Sequence, residues 1–310
     1  MSMARRCWGA AAGLALDAVV PEPADDHHPV AWFGRAMTGV EDRIWGPGRI
    51  RGTVYTAAGV ATGIGAGRMI RSTAVATTIA TARANLAATA RSIGGPLDAG
   101  DLDLARERLP ALVGRDPSRL DRSEIARAVI ESVAENTVDA VVAPALWAAA
   151  AGAPGALAYR AVNTMDSMVG HRSVRHERFG WASARLDDTA NWVPARATVA
   201  LAMAARPERA ATIARTVRRD APAHPSPNAG VVEAAFAAAL DVRLGGTNDY
   251  GGRIEERGTL GDGKPAEPTD IERAIALLDH VTVLLGVGLV VVGLADTARR
   301  RSPSMADPAR

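Results

Sequence analysis

Two stretches of this chain, 140–159 and 281–295, contain no charged side chain. A helix that crosses a membrane needs about 20 predominantly apolar residues, and both stretches come near this, although Gly152 and Pro154 interrupt the first. Apolar residues make up 48% of the chain and aromatic residues only 4%. This mixture, supplied mainly by Ala, Val, Leu and Gly, favours closely packed helices over sheets. The sequence therefore predicts an all-α protein whose apolar helices lie in a core or in lipid.

Hydropathy alone does not decide between these two environments. The mean hydropathy of +0.01 suits a soluble alanine-rich bundle as well as a membrane protein. Three further candidate spans are weaker, namely 52–67, 72–82 and 190–205. In the first of them, glycines recur at the four-residue spacing that lets membrane helices approach closely. The segment 8–16 imitates a signal peptide, but no clear small-residue cleavage site follows, and we interpret it as a retained first membrane segment.

Charge balance and cysteine content exclude some kinds of site. The 36 Lys and Arg against 34 Asp and Glu leave a net charge of +2, which gives no indication of a nucleic-acid surface. Because Cys7 is the only cysteine, an intrachain disulfide and a cysteine-based metal site are excluded.

The chain reads as one domain, 1–310, built of consecutive blocks. In order these are apolar helices at about 8–91, a polar connector at 94–122, a central motif block at 123–205, a Gly/Pro-rich loop segment at 220–268 and a C-terminal helix at 270–298. The central block opens with a predicted helix over 123–141, for which Ser123 is the expected N-cap. The loop segment is interpreted as binding loops around a short apolar helix, 229–240.

Carboxylates gather in the central block. Glu131, Glu135 and Asp139 follow one another at four-residue spacing and so share one helix face, where like charges repel unless a cation or basic ligand lies against them. Asp187 and Asn191 project together from a second helix, with Asp188 adjacent. Oxygen ligands of this kind suit Mg²⁺. A solvated acidic stripe and salt bridges to nearby arginines are the structural alternatives.

Two further groups could bind anions. Asn163 and Asp166 share a helix face, and the basic run that follows Gly170 could hold a phosphate, although an ordinary basic loop explains it equally well. The glycines between 224 and 263 permit close approach of backbone N–H groups to an anionic ligand. No Walker motif is present, so the sequence gives no sign of a P-loop nucleotide site.

Six linked motifs resemble the CobD/CbiB family in order and spacing. They are ESVAENTVD (131–139), YRAVNTMDSMVG (159–170), FGW (179–181), ARLDD (184–188), HPSPNAG (224–230) and GDG (261–263). The resemblance extends over 14–285. It implies a multi-pass integral protein of the cell membrane, a helical bundle that joins adenosylcobyric acid to (R)-1-amino-2-propanol or its O-phosphate. The resemblance also implies ATP and Mg²⁺ as cofactors, whereas the corrinoid is a substrate. The expected partners are the lipid bilayer and other late cobalamin-pathway membrane proteins, and no nucleic acid is expected.

Combined with the residues themselves, the resemblance gives a hypothesis for the site. The residues assigned to catalysis are Glu131, Glu135, Asp139, Asp166, Asp187 and Asp188, of which Glu135, Asp139, Asp187 and Asp188 are expected to hold Mg²⁺. The residues assigned to substrate are Asn136, Asn163, Arg172, Arg175, Arg185, Asn191, His224, Ser226, Asn228, Gly246, Gly252 and Asp262. Among these the arginines are expected to contact phosphate groups, and the loops of Asn228, Gly246 and Gly252 the corrinoid or nucleotide.

Two other functions stay open on sequence grounds. A related membrane family, which resembles the β-lactamase regulator AmpE, shares this architecture and is regarded as a sensor. A transporter of corrinoids or amines is the third possibility. Retention of the polar motif residues favours the enzyme.

Overall fold

A computed structural model describes residues 1–20, 27–170, 173–249 and 254–301, and over these the chain is predominantly helical. The α-helices are α1 (Met3–Val19), α2 (Pro29–Ile44), α3 (Arg49–Ile70), α4 (Thr73–Ala80), α5 (Arg83–Asp98), α6 (Leu102–Arg108), α7 (Arg122–Thr137), α8 (Ala143–Met165), α9 (Trp181–Ala205), α10 (Ala210–Asp220), α11 (Ala229–Leu240) and α12 (Pro268–Arg301). The strands are β1 (Val242–Asp249), β2 (Ile254–Leu260) and β3 (Lys264–Pro265). The all-α class is confirmed for the bulk of the chain.

Helix α8 lies at the centre of the bundle and packs against α1, α3, α4 and α9. Its contact with α3 depends on small residues, because a Cβ on Gly63 would lie 2.6 Å from the carbonyl oxygen of Leu157, and one on Gly67 would lie 2.4 Å from Cα of Pro154. Gly59 of the same row lies against Met165. The glycine spacing therefore brings the two helices into backbone contact, as the sequence predicts.

In the described part of the chain, two helical stretches are long and apolar enough to cross a membrane. One is Arg122–Gly170, which joins α7 and α8 through a π-helical turn, Val138–Val142, and bends at Gly152 with a positive φ of 71°. The other is Pro268–Arg301, whose apolar window is only 33% buried. The weaker candidate at 72–82 forms only the eight-residue α4, which is too short to cross a bilayer.

The segment 220–268 differs most from expectation. The sequence predicts loops around one helix in this segment. Helix α11 forms over the predicted residues, but a three-stranded sheet of order β2-β1-β3 follows it. Strand β1 is antiparallel to β2 and parallel to β3, with an irregularity between Gly245 and Thr247. The sequence gives no indication of this sheet, because the glycines in its strands are typical of turns.

The start of α7 also corrects the sequence prediction. Asp121, not Ser123, is the N-cap, and it forms a reciprocal capping box with Glu124. Ser123 instead donates a hydrogen bond from Oγ to the carbonyl oxygen of Ala266, next to β3. The capped helix then runs into the buried interior, where it carries Glu131 and Glu135.

Candidate active site

A cluster of oxygen-bearing side chains forms where the π-helical turn, α8 and α9 meet. Asn191 on α9 donates through Nδ2 to Oδ1 of Asp139 at 3.0 Å and to Oδ2 of Asp187 at 2.9 Å. The hydroxyl of Tyr159 donates to Oδ1 of Asn191 at 2.8 Å, and Asn163 Nδ2 lies 3.5 Å from Oδ1 of Asp187. We call these five residues the oxygen cluster. Four of them come from three sequence motifs, Asn191 follows the ARLDD motif on α9, and the helix packing brings all five together.

The oxygen cluster is enclosed on most sides. Asp187, Asn191, Asn163 and Tyr159 are buried, whereas Asp139 on the π-helical turn is only partly buried. Turns of this type occur often at functional sites, because one extra residue in the turn redirects side chains. Asp139 is therefore the carboxylate through which an external ligand would reach the cluster.

Two of the other predicted acids flank this cluster. Asp166 begins a second π-helical turn, Asp166–Gly170, and a Cβ on Gly170 would force its carboxylate to move. Asp188 lies next to Asp187 on α9 and is 3.8 Å from Nη1 of Arg185, which is exposed. The carbonyl oxygen of Asp188 accepts a hydrogen bond from Asn228 at 2.8 Å. That bond connects the HPSPNAG loop to α9, next to Asp187 of the oxygen cluster.

Glu131 has a different environment. It is buried, with Oε2 bound by Nη2 of Arg115 and Oε1 accepting the backbone N–H of Gly245 at 2.8 Å. Arg127 lies 3.8 Å from the same carboxylate and also donates to the carbonyl oxygen of Gly245. Glu131 therefore holds β1 against α7, and both of its oxygens are already engaged.

Glu135 belongs to a second group, one helical turn from Asp139. Glu135, His224 and Glu233 each place one ligand atom within 4.8 Å of the others. His224 Nε2 is 3.4 Å from Oε1 of Glu233, and Arg257 on β2 lies 3.5 Å from Oε1 of Glu135. We call Glu135, His224, Glu233 and Arg257 the histidine cluster.

Burial sets the electrostatics of the histidine cluster. Desolvation raises the pKa of Glu233 well above its usual range, and the neighbouring charges of Glu135 and Glu131 raise it further. Desolvation lowers the pKa of His224, and the positive charge of Arg257 lowers it further. In both residues burial therefore disfavours the charged form.

The remaining predicted substrate residues are more dispersed. Arg175 packs on α2, where it pairs with Glu41 at 2.9 Å and stacks over Trp45. Asn136 donates to the carbonyl oxygen of Ser132 in its own helix, and Asp262 is exposed and paired with Arg219. These contacts do not bring the three residues into either cluster. Arg172 and Gly252 lie outside the described residues.

The loop before α11 and the start of β1 are more ordered than a flexible binding loop. Ser226 Oγ accepts the backbone N–H groups of Asn228 and Ala229, which fixes the first turn of α11. Asn228 also accepts a hydrogen bond from Arg196 at 2.8 Å. Gly246, with a φ of +87°, lines a cavity of about 330 Å³ beside Arg127.

The sequence interpretation missed Glu233. It lies on α11, whose apolar character indicated a plain core helix, yet it is the one acid in that helix and it is fully buried. A single carboxylate in an otherwise uncharged apolar helix is expensive to bury without a partner. The isolated acid in this helix was therefore the feature of the sequence that indicated a buried polar site.

Comparison with known proteins gives consistent matches along the chain. A family model described as CobD/Cbib protein matches residues 10–278. A protein named "Cobalamin biosynthesis protein CobD" from Mycobacterium tuberculosis is 46% identical, over 96% of this chain and 97% of the relative. Proteins of the same name from Halalkalibacterium halodurans and Sinorhizobium fredii are 40% and 39% identical, covering 90% and 86% of this chain and 93% and 89% of the relatives. No solved structure gives a significant match.

Proposed function

Since the chain belongs to the CobD/Cbib family, we propose that it is an enzyme of cobalamin biosynthesis and that it forms an amide bond. Its substrates are adenosylcobyric acid and (R)-1-amino-2-propanol or the O-phosphate of that amine, and the reaction consumes ATP. The observation that supports this most directly is the oxygen cluster, in which Asn191 donates to Asp187 of its own helix and to Asp139, which lies 52 positions earlier in the chain.

The donor set of the oxygen cluster fits Mg²⁺. Asp139 and Asp187 offer carboxylate oxygens on either side of one amide, and hard oxygen ligands are those that Mg²⁺ prefers. Asp139 and Asp187 would hold the ion, with Asp166 and Asp188 beside them. A Mg²⁺ ion bound there with ATP would neutralise the charge of the phosphate groups during transfer.

The protein's own residues supply position and exclusion of water. A carboxylate does not react with an amine in water until it is activated, and an activated carboxylate must be kept from hydrolysis. Asp187, Asn191 and Tyr159 are buried, so this side of the site excludes water from the activated carboxylate. Asn191 donates to both Asp139 and Asp187, and Tyr159 donates to Asn191, so these two residues fix the orientation of the two carboxylates that would hold the ion.

The proposal is tested with membranes that contain this chain, supplied with adenosylcobyric acid, ATP, Mg²⁺ and each amine in turn, with product detected by mass. We expect ATP-dependent formation of adenosylcobinamide or its phosphate. Asp187→Asn should abolish it without lowering the amount of protein in the membrane. Glu272→Gln, which removes an exposed acid on α12, is the control and should keep full activity. Undiminished turnover by Asp187→Asn would refute the assignment of the site.

We also propose that the protein is embedded in the cell membrane in several passes. Arg122–Gly170 and Pro268–Arg301 have the length and composition to cross, which by itself is weak support. The second stretch adds a row of exposed valines on α12, among them Val283, Val287 and Val291. A lipid environment would cover such a surface, and other late cobalamin-pathway membrane proteins could share it.

The AmpE-like sensor has no comparable support. The matched family model and the three relatives named above all carry cobalamin names, and none carries the name of a sensor.

A further inference from the structure

The histidine cluster contains buried polar atoms that nothing in the described chain satisfies. Nε2 of His224 and both carboxylate oxygens of Glu233 are inaccessible and find no hydrogen-bond partner among the described residues. The side chains of His224 and Glu233 are 1% and 0% exposed. A buried polar group without a partner costs about 1–3 kcal/mol, and a buried charge costs more. Three such atoms at one place indicate a ligand.

Arg257 does not account for these atoms. Its Nη1 lies 3.5 Å from Glu135 and 3.8 Å from Glu233, so the second contact is longer than a hydrogen bond. One guanidinium also faces two carboxylates. A guanidinium has only donors and therefore cannot satisfy the lone pair of an imidazole nitrogen.

The other ring nitrogen of His224 has a backbone partner. In one tautomer Nδ1 accepts the backbone N–H of Ser226 over 3.1 Å, and in the other it donates to the carbonyl oxygen of Ser226 over 3.3 Å. When Nδ1 carries the proton, it donates to that carbonyl, and the lone pair of Nε2 points toward Glu233. A ring nitrogen that donates to a backbone carbonyl is the usual support for a metal-binding histidine.

We propose that Glu135, His224 and Glu233 bind one divalent transition-metal ion, for which Zn²⁺ is the best chemical match. Imidazole nitrogen combined with carboxylate oxygen suits Zn²⁺ better than Mg²⁺, and three protein ligands with one open position form a common zinc geometry. Glu135 is the ligand through which the ion would enter, since its side chain is 34% exposed. The site is separate from the magnesium site of the oxygen cluster and does not depend on the proposed reaction.

A bound ion would have two structural effects. It would connect the end of α7 to the HPSPNAG loop and to α11, three segments that are distant in the sequence. It would also offset the negative charge of Glu135 and Glu233.

The test measures metal binding without corrinoid or ATP, so that its result is independent of the proposed function. The full chain is purified in detergent, freed of any histidine tag, stripped with a chelator and dialysed against Zn²⁺. We expect one Zn²⁺ per chain by elemental analysis and a rise in the temperature of unfolding. His224→Ala and Glu233→Gln should each weaken binding at least about tenfold. His176→Ala, which removes the imidazole of the His176–Glu41 pair, is the matched control and should bind as the wild type does.

Co²⁺ gives a second measurement that needs no variant. In the stripped wild-type protein, Co²⁺ at this site should produce visible absorption bands that added Zn²⁺ removes. Wild-type protein that retains no stoichiometric Zn²⁺ would overturn the proposal even if both variants failed to fold. Equal affinity in His224→Ala and wild type would overturn it as well.

Discussion

The buried pair of Arg115 and Glu131 provides a sharp test of which acids are structural. Arg115→Met removes the closest cation from a carboxylate whose side chain is only 2% exposed. Removal of one partner from a buried ion pair costs about 3–5 kcal/mol, because the other charge is left buried. Arg127 stays 3.8 Å from Glu131, and Gly245 still donates its N–H, so we expect the lower end, about 3 kcal/mol.

The expected change is large enough to measure by thermal unfolding in detergent. At about 2 °C per kcal/mol for a large domain, Arg115→Met should lower the unfolding temperature by about 6 °C. Arg91→Met is the control, since the pair of Arg91 with Glu272 is half-exposed and should be worth less than about 1 kcal/mol. The double variant Arg115→Met/Glu131→Gln removes both charges and keeps an acceptor for Gly245, so it should regain part of the loss.

This experiment separates two roles for Glu131. If Glu131 holds β1 against α7, Glu131→Gln loses stability along with any activity. If it acts only in catalysis, the same variant loses product formation and unfolds at the wild-type temperature. The structural reasoning is refuted if Arg115→Met unfolds no earlier than Arg91→Met.

Three further outcomes are expected. Gly67→Ala should lower the free energy of unfolding by about 1–3 kcal/mol, because its Cβ would lie 2.4 Å from Pro154. The control Gly65→Ala places its Cβ where no atom lies within 4 Å, so it should leave the free energy of unfolding unchanged or raise it. Calorimetry measures both. The hydrogen bond from Arg219 holds the pKa of Asp220 below its usual value of 3.8. The ionised Asp220 therefore contributes its full stabilisation of the fold above pH 3.8, and this contribution is lost as the pH falls through the lowered pKa. Asp220→Asn should make the unfolding temperature less dependent on pH in this acidic range. After alkaline carbonate washing, the protein should stay in the membrane pellet, and its release would contradict the membrane proposal.

The helices were the predictable part of the fold because their signals are local. The uncharged run after 281 and the apolar run at 229–240 each produced a helix close to the expected bounds. The sheet was not predictable in this way. Its first strand contains Gly245 and Gly246, both with positive φ, and it is held by Glu131 and Arg127 more than 100 positions earlier. No window of sequence around β1 contains those contacts.

The candidate site was predictable where its residues share one helix. The spacing of Asp187 and Asn191 predicted that they project together, and Asn191 does donate to Asp187. The arginines were less predictable, because an arginine can bind phosphate or a nearby carboxylate. Arg175 pairs with Glu41 of α2, a residue that no motif connected to it.

The acidic stripe of α7 shows how one sequence pattern can serve three purposes. On a regular helix Glu131, Glu135 and Asp139 would face one common ligand. Here α7 ends at Thr137, and the π-helical turn that follows redirects Asp139 toward α9, so each acid meets a different set of partners. Glu131 is engaged by a buried arginine, Glu135 faces His224 and Glu233, and Asp139 faces Asn191. Because the three acids have different partners, they should respond differently to substitution: Glu131 in stability, Glu135 in metal content and Asp139 in turnover.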